Sequence, residues 1–387
     1  WQPIEAAALP DRIAGIEHLA ATQGDVESGG GIAIFGRLVV VPGYGKPSSI
    51  VDITDPAAPV VLSHFEQVGD ANHRGAVVIA YPNGTLVTAI STAKGFEVFD
   101  ITDPTAPVPT AQVETPSGGH KIGVVPGTPI VYNANSRGAN VRDPLGNVPG
   151  QQMGQTEIYD LTDPWAPVLV QEFKNGYGCH HVYFWNDASQ EKYRATCAGI
   201  EYTQIWDTAD PLNPQVIVSI PVHHGVTALP ATSSYLNFAH FAILNDDGTI
   251  LVVGDETGGG GLPPGCDVRV DTPVKQVSGP LGNLYFYDVK NEKSPKLLGW
   301  VGMDTILPDQ GSCTAHHGRL VPDAEGRDLL AMAFYGRGVG LIDFSDPMDP
   351  RVVDAWADKS DTWEVWYYNG YLFTGDLARG MDVLKFK

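Results

Sequence analysis

The amino-acid sequence predicts an all-β protein, a seven-bladed β-propeller that residues 1–387 form as a single domain. Three observations predict this fold. A phrase of strand, Asp-Pro turn and strand recurs along the whole chain. Glycine and proline are abundant, with 44 and 30 residues among 387, and no long helical pattern is present. This combination is typical of many short strands joined by tight turns.

The recurring phrase reads SSIVDITDPAAPVVLSHF in its first copy, which begins at Ser48. Each copy has a β-rich run that ends in aspartate, a turn built on Asp-Pro and a second proline, and another β-rich run. Further copies begin at Phe96, Thr156, Thr203, Leu284 and Gly340, and a degenerate copy, GMDVLKFK, ends the chain. The aspartates of the first six copies are Asp52, Asp100, Asp160, Asp207, Asp288 and Asp343, and Lys385 stands in the seventh place.

Two further strand-like runs precede each phrase, so each repeat supplies about four strands, named a to d from the inside outward. The phrase itself is strand c, a turn and strand d. The seventh copy stops after strand c. We therefore expect residues around Arg12–Ala21 to supply the missing outer strand and to close the ring of blades.

The centre of the phrase, which reads IVDI or VFDI, resembles the LVIVD repeat. The resemblance covers six of the seven blades and implies the propeller fold. It implies no single activity, because LVIVD proteins are known mostly as repeats and because a fold does not by itself determine a function. The chemistry must therefore be sought in the residues around the central pore.

The formal net charge of −21 disfavours nucleic acid and anionic membranes as partners, because the mean field of the protein repels both. No apolar run approaches the roughly 18 residues of a membrane-spanning helix. We expect neither a nucleic-acid partner nor a membrane partner. A closed propeller has no free sheet edge and can stand alone, so we expect a monomer.

The four cysteines predict two disulfide bonds. Cys179 and Cys197 flank a predicted hairpin with its turn at 186–192, and we expect the hairpin to place them opposite each other. Cys266 and Cys313 remain as the second pair. Disulfides indicate an oxidising compartment, and a chain that starts at Trp1 fits a processed protein, so we expect a secreted protein.

Five consecutive blades carry histidine at the start of strand a, the innermost strand, whose first residues line the pore. These histidines are His73, His120, His180 or His181, His240, and His316 or His317. The seventh blade offers Trp363 and Glu364 at this place, and the first blade offers only glycine, which leaves a gap in the ring. We expect one member of each His-His pair to point away from the pore, and the sequence does not say which.

Neutral imidazole is a frequent ligand of divalent transition metals, so imidazoles that project toward one axis predict a metal site. The predicted metal ligands are His120, His181, His240, His317 and Glu364. The predicted catalytic residues are His73, His120, His180, His240, His316 and Tyr335. Manganese, iron, zinc or copper would suit the histidines, whereas Asp255 and Glu256 would suit calcium. The alternative is that the histidines are spacers that hydrogen-bond neighbouring blades.

Lysine or arginine precedes strand c in five of the seven blades, which predicts an anionic ligand at the pore mouth. The five are Lys46, Lys94, Arg137, Arg337 and Arg379, and Arg74 and Lys121 stand beside histidines. The predicted substrate-binding residues are Arg74, Lys94, Arg137, Tyr202, Arg337, Trp363 and Arg379. The alternative is a favourable turn sequence with a solvated side chain. A disulfide between Cys266 and Cys313 would link the insertion at 256–282 to the loop before His316. The insertion would then form one side of a substrate site, or the disulfide would only stabilise the loop.

The first of three functions that fit is a lyase that cleaves an acidic, uronate-containing glycan by β-elimination. A metal or an arginine would neutralise the carboxylate, one pore histidine would take the α-proton, and a second histidine or Tyr335 would protonate the leaving oxygen. In architecture the chain looks like the seven-bladed polysaccharide lyases, including the fungal rhamnose–glucuronate lyases. That likeness rests on blade count, histidine use and secretion.

The second function is a metal-dependent oxidoreductase of the copper type, as in the methanethiol oxidases of the selenium-binding type. The third is a non-catalytic binding propeller that uses the pore mouth for a partner. For an enzyme we expect His120→Ala and His240→Ala to abolish activity and to leave the fold intact. Substitution of His64, placed in an outer strand, should have little effect.

Overall fold

The computed structural model describes residues 2–22, 25–68, 72–135, 156–175, 178–199, 202–221, 238–256, 270–272, 275–277, 282–303 and 314–387. They form seven four-stranded antiparallel sheets and one two-stranded hairpin. Among these residues the only helical segment is a single 3-10 turn, Ala188–Gln190. In this part of the chain no helix has the length and apolar character to cross a bilayer. The predicted seven-bladed β-propeller is therefore confirmed.

The strands follow one another in the predicted blade order. The first is β1 (Ile16–Ala21). Blade 1 contains β2 (Ala33–Phe35), β3 (Leu38–Val41), β4 (Ser48–Asp52) and β5 (Val60–Phe65); blade 2 contains β6 (Ala76–Ala80), β7 (Leu86–Ser91), β8 (Gly95–Asp100) and β9 (Val108–Glu114); blade 3 contains β10 (Lys121–Val124), β11 (Ile130–Ala134), β12 (Thr156–Asp160) and β13 (Val168–Phe173).

Blade 4 contains β14 (His181–Asp187), β15 (Lys192–Ala198), β16 (Tyr202–Asp207) and β17 (Gln215–Pro221). Blade 5 begins with β18 (Ala239–Leu244) and β19 (Ile250–Asp255), is interrupted by the hairpin of β20 (Val270–Thr272) and β21 (Lys275–Val277), and ends with β22 (Leu284–Asp288) and β23 (Lys296–Val301). Blade 6 contains β24 (Gly318–Val321), β25 (Leu329–Ala333), β26 (Val339–Asp343) and β27 (Arg351–Trp356); blade 7 contains β28 (Thr362–Tyr368), β29 (Tyr371–Asp376) and β30 (Asp382–Phe386).

The N-terminal strand closes the ring, as the sequence predicts. β1 forms the outer strand of blade 7 and pairs with β30, with Ile16 opposite Phe386. Two hydrogen bonds join this region to blade 6. The Ile16 N–H donates to Asp354 Oδ2 at 3.0 Å, and Arg327 Nη2 donates to the backbone oxygen of Ile13 at 2.9 Å. Blade 7 thereby gains the strand d that the last repeat lacks.

The aspartate at the end of strand c holds the turn that follows. In blade 1, Asp52 Oδ1 accepts hydrogen bonds from the Thr54 N–H at 2.8 Å and from the Thr54 hydroxyl at 2.6 Å. Such an Asx-turn diverts the backbone from the ladder and ends the strand. The bond to the N–H two residues on recurs at Asp100, Asp160, Asp207, Asp288 and Asp343. The repeated phrase is thus a repeated turn structure.

The apolar core lies between adjacent blades. In blade 2, strand b (β7) is buried at all six positions, whereas strand d (β9) mixes exposed and half-buried positions. Side chains of neighbouring blades interlock; for example, Phe96 and Tyr159 pack edge to face with ring centroids 5.1 Å apart. Strands b and c thus supply most of the side chains buried between blades, and the first residues of the a strands line the axis.

The Cys179–Cys197 disulfide is confirmed, with 5.5 Å between the two Cα atoms. Its predicted placement is wrong in one respect. The β14–β15 register puts Val182 opposite Cys197, so Cys179 lies in the loop before the strand rather than facing its partner. The bond therefore ties the entry of strand a to strand b, directly before His180. Cys266 and Cys313 lie outside the described residues.

Candidate functional site

Four blades present a histidine near the start of strand a, and three of these histidines are held by the same kind of backbone hydrogen bond. The N–H groups of His120, His180 and His316 each donate to the last residue of strand b in their own blade, at 3.0, 2.6 and 3.0 Å. His240 lies within β18 itself. The shared position in sequence is therefore also a shared position in space.

The four side chains form a continuous arc. The ring centroids are 3.8 Å apart for His120 and His180, 4.2 Å for His180 and His240, and 4.0 Å for His240 and His316. The ligand atoms of His120, His180 and His240 lie within 4.8 Å of one another, and so do those of His240, His316 and His317. His240 belongs to both groups. The structure thus brings together the predicted histidines of blades 3 to 6.

Both members of each His-His pair face the pore, contrary to expectation. His181 lines the axial channel, and its ring centroid lies 4.8 Å from that of His317. The His317 ring lies 4.5 Å from His240, and its Nδ1 is 2.6 Å from the Tyr183 hydroxyl. The pairs lie where a loop enters a strand, so their successive side chains do not yet alternate between two faces as they do inside a strand.

Burial keeps these imidazoles neutral. Desolvation first, and then neighbouring histidines and cations, lowers the pKa of His120, His180, His181, His316 and His317 well below 6.5. Burial and the Lys121 charge also lower the pKa of His240 to about 3. A neutral ring offers a nitrogen lone pair to a metal.

Two buried imidazole nitrogens, His181 Nδ1 and His317 Nε2, have no hydrogen-bond partner among the described residues. Buried polar atoms without partners are costly, and coordination to a metal would satisfy them. The two groups around His240 could therefore hold a divalent metal ion. All of their members are imidazoles, so the described residues fit a transition metal better than calcium.

Glu256 joins the cluster from the end of strand b in blade 5. Its Oε2 lies 3.3 Å from His240 Nε2, and its Oε1 lies 3.6 Å from His316 Nε2. The Tyr335 hydroxyl donates a hydrogen bond to Oε1. Burial raises the pKa of Glu256 to about 8, and burial followed by the Glu256 charge raises that of Tyr335 above 10. From the sequence, Glu256 is expected as a possible calcium ligand with Asp255 and as a break in the pattern of cations, and not as a partner of the histidines; its position in the His240 blade was the available signal.

Lys121 fills the gap that blade 1 leaves in the ring. Its Nζ reaches across the axis to blade 7, where it lies 3.6 Å from Glu364 Oε2. The path is open because Gly31 and Gly75 have no side chains; a Cβ on Gly31 would collide with Lys121 Nζ and Glu364 Oε2, and one on Gly75 with the Lys121 stem. Burial, which outweighs the attraction of Glu364, lowers the pKa of Lys121 to about 8.

Glu364 lies in an ion-pair layer and not in either histidine group. Besides Lys121, it accepts a hydrogen bond from Arg319 Nη2 at 2.9 Å and one from Trp366 Nε1 at 2.8 Å. Its carboxylate is thus engaged by two cations and an indole. The predicted role of Glu364 as a metal ligand has no support in this geometry.

His73 also lies apart from the other histidines. Its Nε2 is 3.0 Å from Glu97 Oε2 and its Nδ1 is 2.6 Å from Ser48 Oγ, so it links blades 1 and 2. Its side chain is fully buried. This is the spacer arrangement that the sequence offered as the alternative, and for His73 the structure favours it over convergence on the axis.

Three of the predicted substrate-binding residues lie in or beside the site. Arg74 contacts His120 Nδ1 through its guanidinium group. Trp363 packs against His316 with ring centroids 4.7 Å apart. Arg337 is buried in the turn between β25 and β26.

The other predicted substrate-binding residues are less closely tied to the histidines. Lys94 is exposed and lies 4.0 Å from Glu114. Arg379 is held by two hydrogen bonds of 2.9 Å to Asp382 of β30. Tyr202 is half-buried at the start of β16, and Arg137 lies outside the described residues. Fewer of the predicted cationic residues therefore lie beside the histidines than the sequence predicts.

Further along the a strands from the histidines, the axial channel contains a cavity of about 480 Å³. Its inner end is formed by His181, Lys121, Glu364 and Arg319. Its walls are mainly apolar and aromatic side chains of the a strands. The channel thus has a polar, histidine-rich upper part and an apolar lower part.

Comparison with models of known protein families and with curated proteins gave no match for this chain. The resemblance of the repeated phrase to LVIVD repeats and the likeness to polysaccharide lyases therefore rest on the sequence features described above.

Proposed function

We propose that this protein is a metal-dependent lyase that cleaves a uronate-containing glycan by β-elimination at the histidine-rich end of its pore. The observation that carries the proposal is the convergence of neutral imidazoles from blades 3 to 6 on His240. Beside these imidazoles lie a hydrogen-bonded Tyr-Glu pair and an arginine. The pore therefore has residues that could bind a metal next to residues that can transfer a proton.

The residues that would hold the metal are His240 with His120 and His180, or His240 with His316 and His317. When bound, a divalent cation would polarise the uronate carboxylate and stabilise the charge that develops on it. The depressed pKa values of these histidines make them poor proton acceptors. We therefore assign them to metal binding and not to the role of general base.

Tyr335 and Glu256 are the groups best placed to transfer protons. In the first step, which needs a pH near or above 8 so that Glu256 is ionised, the Tyr335 oxygen takes the proton from the carbon next to the uronate carboxylate and passes its own proton to Glu256. The electron pair of the broken carbon–hydrogen bond forms a carbon–carbon double bond, and the bond to the leaving sugar oxygen breaks. The proton then returns from Glu256 through Tyr335 to that oxygen, so the enzyme ends in its starting state.

Arg74 is the residue we assign to the substrate carboxylate. It lies beside His120, the one histidine of the arc that is partly exposed, so an anionic group that reaches His120 meets a guanidinium. Trp363 and Tyr44, with ring centroids 5.3 Å apart, offer an aromatic surface next to His316 on which a sugar ring can stack.

The direct test is an assay of the metal-loaded protein on a panel of uronate-containing glycans, with the ultraviolet absorbance of the unsaturated product as readout. Tyr335→Phe should lower kcat by about 10²–10⁴-fold and leave KM and metal content unchanged, because it removes only the hydroxyl. Tyr371→Phe, at the start of strand b of blade 7 and so at the opposite end of that strand from Asp376, is the matched control. Absence of unsaturated product from every glycan and every metal form would refute the proposal.

A metal-dependent oxidoreductase is the second candidate, because both ligand groups consist of imidazoles alone, and such sets suit copper. It predicts tight copper binding with a visible absorption band and no unsaturated sugar product. Copper retained by the wild-type protein and lost in His240→Ala, together with inactivity on all glycans, would favour this candidate over the lyase.

A further inference from the structure

The lower part of the axial channel differs chemically from the part that holds the histidine arc. It has a volume of about 480 Å³, within the range of small-molecule sites. Its walls include Ile34, Val78, Phe184, Trp185, Leu320 and Trp366. All six are half-buried residues of a strands, so water reaches apolar side chains at this end. Exposed apolar surface in a concave site favours an apolar ligand group.

The inner end of this cavity carries more positive than negative charge. Lys121 and Arg319 are cationic, and Glu364 is the one carboxylate among the described residues that line the cavity. The formal sum is therefore one positive charge. The histidine that also lines the cavity, His181, is kept neutral by burial.

Lys121 also lacks a full set of hydrogen-bond partners. Its Nζ is buried, lies 3.6 Å from Glu364 Oε2, and has no hydrogen bond to any described residue. The carboxylate of Glu364 is already used by Arg319 and Trp366. A buried ammonium group whose three donors are not all hydrogen-bonded is costly, and an anionic oxygen from a ligand would satisfy a donor that the long contact with Glu364 leaves unused.

We propose that the lower channel binds a medium-chain aliphatic carboxylate, with its carboxylate at Lys121 and its chain along the apolar wall. The head group matches the spare charge and the spare hydrogen-bond donors of Lys121. The chain matches the walls, which present aliphatic and aromatic side chains from all seven blades. This site is separate from the proposed glycan site, and the proposal does not depend on the lyase reaction.

The test is calorimetric titration of the folded, metal-loaded protein with hexanoate, octanoate and decanoate. We expect saturable binding of one molecule per chain. The affinity should rise by about fourfold for each added methylene group, which is the usual value for burying one methylene. Octanol, which has a chain but no charge, should bind at least tenfold more weakly than octanoate, because Lys121 would lose its anionic partner.

Two substitutions with opposite expected signs test the charge assignment. Lys121→Met should weaken octanoate binding by tenfold or more. Glu364→Gln should strengthen it, because it removes the negative charge beside the bound carboxylate. General damage to the fold would weaken binding in both variants. Lys293→Met, at an exposed lysine in the c–d turn of blade 5, is the control and should leave the affinity unchanged.

Leu320→Trp tests the apolar wall independently of the ion pair, since it fills the channel and should weaken decanoate more than hexanoate. The proposal is overturned if wild-type protein binds none of the three carboxylates saturably, or if affinity is independent of chain length. It is also overturned if Lys121→Met, folded by circular dichroism, binds octanoate as wild type does. None of these results depends on whether glycans are cleaved.

Discussion

His240 is the residue on which the metal site depends most. It is 1% exposed and belongs to both groups of three histidines. Burial and the charge of Lys121 lower its pKa to about 3, so the ring is neutral at pH 7. A single substitution here should therefore disable either possible ligand set.

We expect His240→Ala to weaken metal binding by more than the roughly 10- to 100-fold loss of affinity that follows removal of a residue hydrogen-bonded to a metal ligand. Metal content after dialysis, measured by mass spectrometry, is the readout. His64→Ala is the matched control, because His64 lies exposed in β5, away from the pore, and its ring Nδ1 is 2.9 Å from Ser49 Oγ of the neighbouring strand. Equal metal loss in both variants would show that histidines act here through stability and not through coordination.

The ion pair between Arg194 and Glu292 predicts a pH-dependent contribution to stability. Arg194 Nε and Nη2 donate to the two Glu292 oxygens at 2.8 and 3.1 Å, joining blade 4 to the c–d turn of blade 5. Burial raises the pKa of Glu292, but the hydrogen bonds and charges of Arg194 and Lys192 outweigh it, so the net pKa is lowered from 4.5.

Glu292→Gln should reduce the free energy of unfolding by about 1 kcal/mol at pH 7. Because the folded-state pKa is the lower one, this contribution is complete above the unfolded value of 4.5 and disappears as pH falls through the folded value. Urea unfolding at several pH values, with exposed Glu66→Gln as control, gives the measurement. A difference between wild type and variant that persists at pH 2 would contradict it.

At the scale of elements, β1 is the strand whose loss should matter most. Without this segment, β30 would be a free edge, and blade 6 would lose the apolar cover of Ile13 and Ile16, which are both buried against it. We expect deletion of residues 2–21 to abolish cooperative thermal unfolding or to cause aggregation, as followed by circular dichroism and light scattering. Arg12→Ala, at an exposed side chain in the same segment, should change Tm by little. A truncated protein that unfolds at the wild-type Tm would contradict this.

Most of the element pattern follows from the sequence because its cause is local. The Asp52 side chain bonds to the Thr54 N–H, and the same short-range bond ends strand c in five other blades, so the repeat can be seen in the letters alone. The last repeat ends after strand c, and this is also visible in the sequence. It is why the N-terminal segment that forms β1 was expected to supply strand d of blade 7.

The parts of the site that the sequence did not predict depend on contacts between residues that are far apart in the sequence. Lys121 of blade 3 reaches Glu364 of blade 7 past two glycines, and His73 turns to Glu97. Which histidine meets the axis is decided by such contacts, since His73 and His120 hold equivalent positions in their repeats. No local rule separates them.

At the scale of the whole molecule, the seven blades have similar sequences but contribute different residues to the site on the axis. Blades 3 to 6 supply the imidazoles, blades 5 and 6 supply Glu256 and Tyr335, and blade 7 supplies the partner of Lys121. A metal bound at the shared histidine would link several blades at once. It should therefore stabilise the folded ring as a ligand does, raising Tm with metal concentration.

Anomalous X-ray scattering from metal-loaded crystals, recorded above and below the absorption edge of manganese, zinc or copper in turn, measures this arrangement most directly. We predict one strong peak on the pore axis, about 2.1 Å from His240 and from at least two further pore histidines. Metal-soaked crystals without a peak at His240, and with the imidazoles engaged in contacts between blades as His73 is, would contradict the prediction.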